Sequence, residues 1–123
     1  MNIVLWIVAV VLAVIFGGAG TLKATQPKAK LAESMGWVND FSSNAVKTIG
    51  GLEILAAIGL ILPAVTRIAP VLVPLSASGL AIVMAGAIAV HARRNESQMI
   101  MVNFVLLVLA VFVAWGRFGP YAL

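Results

Sequence analysis

One carboxylate, Glu53, lies inside a long apolar stretch that runs from Gly50 to Pro63. The next charged residue along the chain is Arg67, so a helix formed here carries Glu53 within its apolar body. An ionisable side chain inside a bilayer costs at least about 3 kcal/mol on insertion scales, and it usually faces protein, another charge or water. The sequence therefore predicts that Glu53 meets polar groups inside the protein, which either stabilise the fold or form a binding site.

Three further polar residues, Lys23, His91 and Asn103, lie at the ends of other apolar stretches. On a helical wheel, each of the four polar side chains points the same way as small or apolar residues of its own helix. Small faces pack inward in membrane bundles, so the polar groups are expected to converge between the helices. The aligned residues are Gly50, Ala57 and Ala64 for Glu53, Gly20 and Phe16 for Lys23, Ala87 and Met84 for His91, and Leu107, Ala110 and Ala114 for Asn103. The predicted ligand-binding set is Glu53, Lys23, His91, Asn103, Gly50 and Met84.

A proton-accepting carboxylate in apolar surroundings suits the polar head of a lipophilic molecule such as a quinone, an amine or a lipid. The chain has no cysteine and a single histidine, which leaves no thiolate chemistry and no protein-held zinc or bis-histidine haem. No nucleophile–base pair or phosphate loop is visible. We therefore predict no catalytic residue, no metal site and no covalently bound cofactor, with quinone as one candidate ligand.

Each polar residue also has a purely structural interpretation. Glu53 would then pair with a lysine or histidine to lock the bundle, and Lys23 would extend its charged end to the lipid headgroups. His91 would mark the membrane interface, and Asn103 would form an interhelical hydrogen bond.

The composition indicates a membrane protein, because 63% of the 123 residues are hydrophobic and only 10% are charged, against about 25% in soluble domains. Four apolar stretches, at about 3–22, 45–63, 68–91 and 99–116, are each long enough to cross a bilayer. They predict a single domain over residues 1–123, an all-α integral membrane four-helix bundle. The first stretch lacks a basic start and is too long for a typical signal peptide, so we expect a retained helix.

The polar segment 24–44 separates the first two predicted spans. Pro27 can begin a short interfacial helix over Lys28 to Met35, which Gly36 would end. Trp37 and Phe41 would then lie at the depth of the lipid headgroups. An ordinary loop is the alternative.

Small residues recur every fourth position in two of the predicted spans, a pattern that lets helices approach closely in lipid. Near the end of the chain, Arg117, Phe118 and Tyr121 are expected at the surface. The two small-residue series are Ala9, Ala13 and Gly17 in the first span, and Ala77, Ala81, Ala85 and Ala89 in the third.

The basic residues predict the orientation of the chain. Six of them follow the first and third spans, and Arg67 and Arg117 lie on the opposite side. The positive-inside rule puts the larger group in the cytoplasm and both termini outside, in a multi-pass protein of the cell (inner) membrane. The formal charge of +4 is thus explained by membrane topology, and nucleic-acid binding is not expected. The larger group is Lys23, Lys28, Lys30, Lys47, Arg93 and Arg94.

In three short motifs, found in order along nearly the whole chain, the sequence resembles the DoxX-like family of small four-helix membrane proteins. The resemblance implies a four-helix bundle with an acidic residue in the second span, here Glu53. The wider group includes a membrane subunit associated with thiosulfate:quinone oxidoreduction, partners of oxidative-stress complexes and, more distantly, a chaperone of nicotinic receptors. The motifs are Phe16-x-x-x-Gly20-x-x-Lys23, Gly50-x-x-Glu53 continuing to Gly59-Leu60-Ile61-Leu62-Pro63, and Ala87-x-x-x-His91-x-Arg93.

The leading functional hypothesis is a non-enzymatic subunit that binds a lipophilic small molecule at Glu53, or an accessory subunit of a quinone-linked membrane redox complex. The alternative is a membrane-protein assembly factor or chaperone that acts through helix–helix contacts. Two further hypotheses are an enzyme that works through a partner's redox centre and a proton-coupled transporter. The expected partners are the bilayer, the lipophilic molecule, and other membrane subunits or further copies of the chain.

Overall fold

A computed structural model describes all of residues 1–123 and contains helices but no strands. Four long helices account for most of the chain, and two short helices lie between the first and second of them. In chain order the elements are α1 (Asn2–Thr25), α2 (Lys28–Leu31), a 3-10 helix (Gly36–Asp40), α3 (Ser43–Thr66), α4 (Leu72–Arg93) and α5 (Ser97–Phe118).

The four long helices have the length and apolarity of membrane spans. With 22 to 24 residues each, they extend over about 33–36 Å, enough for a hydrocarbon core of about 30 Å. Large apolar side chains such as Ile3 and Ile82 are among the most exposed on the molecule. That distribution fits lipid as the surrounding solvent, and the predicted membrane four-helix bundle is confirmed.

The bundle consists of two tightly packed helix pairs, α1 with α3 and α4 with α5, which meet along a shared core. That core contains Leu12, Phe16, Leu60 and Leu80, all almost completely buried. A smaller cluster of Leu31, Val38 and Val46 attaches the connecting segment to the start of α3.

Two glycines set the closest approach of α1 and α3. A Cβ atom built on Gly20 would lie 2.6 Å from the carbonyl oxygen of Gly50, and one built on Gly50 would lie 2.6 Å from that of Gly20. No side chain fits between two backbones this close, as expected for small-residue contacts in membranes. Lys23 and Glu53 each follow their glycine by three residues, so this crossing brings the two charged side chains to the same level.

The turn between α3 and α4 differs from the prediction. The second span extends to Thr66, with Pro63 inside the helix, and the next helix begins at Leu72 rather than at residue 68. Arg67 and Ala69 take positive φ angles, and these left-handed conformations end one helix and delay the other.

The connecting segment also differs in detail. Pro27 begins a helix as predicted, but α2 ends at Leu31, and the 3-10 helix over Gly36–Asp40 was not predicted. A 3-10 turn brings side chains three residues apart onto one face, a period that the sequence pattern does not reveal in so short a segment.

Arg117 is not at the surface, contrary to the prediction, because only 5% of the residue is exposed. Phe118 is exposed as expected, and Tyr121 is partly so. In the first span, Ala9 is buried, and a Cβ on Gly17 would contact Ala57 of α3. In α4, by contrast, Ala77 is buried whereas Ala85 and Ala89 face outward, so only part of that series serves contacts within the bundle.

Candidate functional site

A cavity of about 490 Å³ opens at the end of the bundle where α1 and α4 finish and where α3 and α5 begin. Of its 19 lining residues, 14 are hydrophobic and one is Gly86, which leaves four polar side chains in the wall. These four are the residues predicted to converge, namely Lys23, Glu53, His91 and Asn103.

Lys23 and Glu53 form an ion pair in the cavity wall. Lys23 Nζ donates a hydrogen bond of 2.7 Å to Glu53 Oε1, and the glutamate side chain is only 1% exposed. A buried carboxylate without a counter-ion would be very costly, so Lys23 explains how Glu53 is tolerated at this depth. Glu53 Oε2 accepts no hydrogen bond from the protein and stays free to accept one from a ligand.

His91 is held by an acidic residue just beyond the end of α4. Its Nδ1 lies 2.8 Å from Oε1 of Glu96. Because a carboxylate only accepts hydrogen bonds, Nδ1 must donate, and Nε2 of the neutral ring is then an acceptor. Nε2 has no hydrogen-bond partner in the protein, and His91 is one of the residues that line the cavity.

The contact between His91 and Glu96 continues to the connecting segment. Arg94 donates from Nε to Glu96 Oε1 over 3.2 Å and from a terminal nitrogen to Asp40 Oδ2 over 2.8 Å. The hydrogen bond from His91, followed by the charge of Arg94, lowers the pKa of Glu96, and the hydrogen bond to Asp40 raises the pKa of Arg94. This chain of polar contacts attaches the 3-10 helix to the end of α4.

Asn103 is the least satisfied polar group of the site. Only 6% of the residue is exposed, and its Nδ2 is a buried donor with no hydrogen-bond partner. Leaving a buried donor unpaired costs about 1–3 kcal/mol, and native proteins do so rarely. The predicted interhelical hydrogen bond is therefore absent, and the amide donor has no acceptor within the chain.

Aromatic residues of the connecting segment cover the polar end of the cavity. Trp37 and Phe41 pack edge to face with ring centroids 5.6 Å apart, and both line the cavity together with Met35. Lys23 Nζ lies 5.4 Å from the centroid of the Trp37 ring, a cation–π arrangement. Trp37 and Phe41, expected at headgroup depth, thus also form part of the site.

The model of the DoxX-like family matches residues 7–113, most of the chain. The chain belongs to the DoxX-like family. This assignment confirms the resemblance read from the motifs, and the matched region includes all four polar residues of the cavity. No curated protein and no solved structure matches this DoxX-like protein.

Five of the six predicted ligand-binding residues of this DoxX-like protein line the cavity. Met84 joins the four polar residues there. Gly50 does not: it lies at the α1–α3 crossing, where its missing side chain lets Lys23 reach Glu53. The prediction that Gly50 contacts a ligand is corrected, since its place in the structure is to position the ion pair.

The sequence prediction did not include Asp40, Arg94 and Glu96 in the site. Glu96 follows His91 by five residues, and the turn at Arg94–Asn95 brings it back to the imidazole, with Asn95 in a left-handed conformation. A charged link in a membrane protein is normally assigned to the headgroup region, which is why the pattern gave no signal. The assembled site combines hydrogen-bond donors and acceptors with mostly apolar walls.

Proposed function

We propose that this DoxX-like protein binds an amphiphilic small molecule whose polar head enters the cavity beside Glu53, Lys23, His91 and Asn103. The observation that carries the proposal is the unpartnered amide of Asn103, a buried donor in the wall of a cavity that is otherwise mostly apolar. The cavity volume of about 490 Å³ lies within the range of about 300–1,000 Å³ typical of small-molecule sites.

The apolar part of the ligand is proposed to reach the lipid between α1 and α5. These helices touch at the far end of the bundle, where a Cβ on Gly116 would meet Leu5. At the cavity end, Ile15 of α1 and Val102 of α5 line the cavity and are 40% and 45% exposed. A hydrocarbon tail would leave the cavity between these two side chains into the bilayer.

The head group is expected to combine acceptor and donor atoms. A carbonyl oxygen would accept from Asn103 Nδ2, and a hydroxyl would donate to His91 Nε2 or Glu53 Oε2. Quinones carry such carbonyls and quinols such hydroxyls, which makes this pair one candidate and hydroxylated lipids another. No chemical step is assigned to this chain alone, and binding a quinone would suit an accessory subunit of a membrane redox complex.

The test is to measure ligand retention by native mass spectrometry and then titrate the delipidated protein with a short-chain quinone. Asn103→Leu should weaken binding about tenfold, the usual value of one buried hydrogen bond, without lowering thermal stability, since the amide has no partner in the protein. Asn44→Leu removes an exposed amide outside the cavity and serves as the matched control. Equal binding by both variants, or no retained lipid or quinone in the wild type, would overturn the proposal.

The proposed orientation puts the cavity end in the cytoplasm, because six of the eight basic residues belong to that end. The absence of native cysteine allows a direct test in cells. Ser34→Cys, at the cavity end, should resist a membrane-impermeant thiol reagent applied from outside, whereas Ile68→Cys, at the opposite end, should react. The reverse pattern would contradict the orientation, and with it the assignment of both termini to the outside.

A second candidate function is helix docking for the assembly of membrane proteins. Ala85 and Ala89 of α4 face outward, and a Cβ on Gly79 would meet nothing within 4 Å, so another membrane helix has room to approach. Pulldown after crosslinking in membranes tests it. Loss of a partner with Ala85→Leu, but not with the outward-facing Val105→Leu of α5, would support docking through α4.

A further inference from the structure

A second cavity, of about 620 Å³, lies at the opposite end of the bundle from the site described above. Its wall includes Arg67, the residue that ends α3, and Arg117, near the end of α5. All four acidic residues of the chain, Glu33, Asp40, Glu53 and Glu96, belong to the other end or to the first half of α3. The side chains that line the second cavity therefore include two cations and no carboxylate, and the chain terminus at Leu123 also lies in its wall.

Arg117 is the unusual group in this cavity, because its guanidinium is buried without a counter-ion. The residue is 5% exposed and forms no ion pair. One terminal nitrogen donates to Asn2 Oδ1 over 2.6 Å and to the Tyr121 carbonyl oxygen over 3.0 Å, and both acceptors are neutral. The remaining N–H groups make no hydrogen bond in the protein.

A buried charge is normally paired, and leaving one unpaired is among the costlier arrangements in a protein. The face of Trp6, with its ring centroid 6.0 Å from the guanidinium carbon, compensates only partly. Arg67 adds a second positive charge, on a residue held in a left-handed conformation (φ 60°, ψ 22°) where glycine is the usual choice. An anion in this cavity would balance the two positive charges.

We propose that Arg67 and Arg117 bind a phosphate group in this second cavity. The planar guanidinium offers parallel N–H donors that match two phosphate oxygens, and the free donors of Arg117 are available for that geometry. The site lies at the end of the spans, at the depth of lipid headgroups, so the phosphate belongs either to a phospholipid or to a free phosphate ion. The proposal is independent of the ligand of the first cavity.

The experiment uses the full-length protein, delipidated in a neutral detergent, with binding followed by native mass spectrometry and by the thermal midpoint. Phosphatidylglycerol, inorganic phosphate and diacylglycerol are the three probes. Phosphatidylglycerol should bind and raise the midpoint, whereas diacylglycerol, which lacks the phosphate, should not. Binding of inorganic phosphate as well would identify free phosphate as a ligand, and its failure to bind would assign the site to the lipid headgroup.

Two variants and one control locate the site. Arg67→Gln removes an exposed guanidinium and should weaken phosphatidylglycerol binding about tenfold, the loss expected for one charge-assisted hydrogen bond. Arg117→Lys keeps the charge but loses the parallel N–H donors of the guanidinium, so it should also bind phosphatidylglycerol less tightly. Arg93→Gln removes the same charge from the exposed surface of the opposite end and should change nothing.

The proposal is overturned if Arg67→Gln binds as tightly as the wild type, if Arg93→Gln weakens binding equally, or if diacylglycerol binds as well as phosphatidylglycerol. Should Arg117→Lys fail to fold, Arg67→Gln decides alone, because that residue is exposed and ends a helix without packing in the core.

Discussion

The two ends of this bundle differ in whether their buried charges have a counter-ion. At the first cavity, Glu53 is balanced by Lys23 within the chain, and Arg94 connects Asp40 and Glu96. At the second cavity, the buried guanidinium of Arg117 has only neutral acceptors. A site whose charges are already paired suits an uncharged head, whereas a site with an unpaired cation calls for an anion. This difference between the two ends is the reason for proposing two different ligands.

Removing the cation from the paired end should have the largest effect. Lys23→Met leaves Glu53 buried without its partner, which typically costs about 3–5 kcal/mol. The double variant Lys23→Met/Glu53→Leu should recover much of that loss, because no unpaired charge remains. Thermal or denaturant unfolding in a mild detergent measures both.

Arg117, at the opposite end of the bundle, provides the comparison for the Lys23 and Glu53 variants. Arg117→Met removes a charge with no counter-ion, so it should cost clearly less than Lys23→Met. If Arg117→Met proves the more damaging of the two, the contrast between a paired and an unpaired end is wrong.

The glycine crossing that positions the ion pair should give the next largest effect. Gly50→Ala places a methyl group 2.6 Å from the Gly20 carbonyl oxygen, so α1 and α3 must separate. Such overpacking costs about 1–3 kcal/mol and should lengthen the Lys23–Glu53 hydrogen bond. Gly51→Ala is the matched control, because a Cβ there meets nothing within 4 Å and alanine favours the helix. Equal stability of the two variants would show that the close approach of α1 and α3 is not required.

The smallest predicted effect concerns pH and the contact between the 3-10 helix and α4. The pKa of Glu96 is lowered in the folded protein, first by the hydrogen bond from His91 and then by Arg94. A lowered carboxyl pKa stabilises the fold at pH values above the unfolded pKa, near 4.3, and this contribution disappears as the pH falls through the lower folded value. Wild type should therefore have a higher thermal midpoint than Glu96→Gln at pH 7, and the difference should shrink as the pH is lowered from about 4.3 into the acid range. A difference that does not shrink on acidification would contradict this assignment.

Much of the first site could be predicted from the sequence, because helical periodicity and the direction of each span fix where a side chain points. On that basis the sequence predicts that Lys23, Glu53, His91 and Asn103 converge, and all four line one cavity. Helical periodicity gives the direction of a side chain but not the distance between two helices. It therefore predicts that Gly50 contacts the ligand, whereas in the structure Gly50 permits the close approach of α1 and α3.

Features outside the regular helices could not be predicted in the same way. The 3-10 helix at Gly36–Asp40 and the return of Glu96 to His91 depend on turn geometry set by tertiary packing. Arg117 was expected at the surface because an arginine at the end of a span usually reaches the headgroups. Its burial results from the way the end of α5 packs beside the start of α1, where Gly116 meets Leu5, and no local pattern encodes that contact.

The unpartnered amide of Asn103 is proposed to face the head group of an amphiphile. The most direct measurement is a crystal structure of the protein extracted and crystallised with its native lipid. We expect density inside the first cavity, with an acceptor atom within hydrogen-bond distance of Asn103 Nδ2 and the tail leaving between Ile15 and Val102. A closed, empty cavity, with that amide hydrogen-bonded to a neighbouring side chain of the same protein, would contradict it.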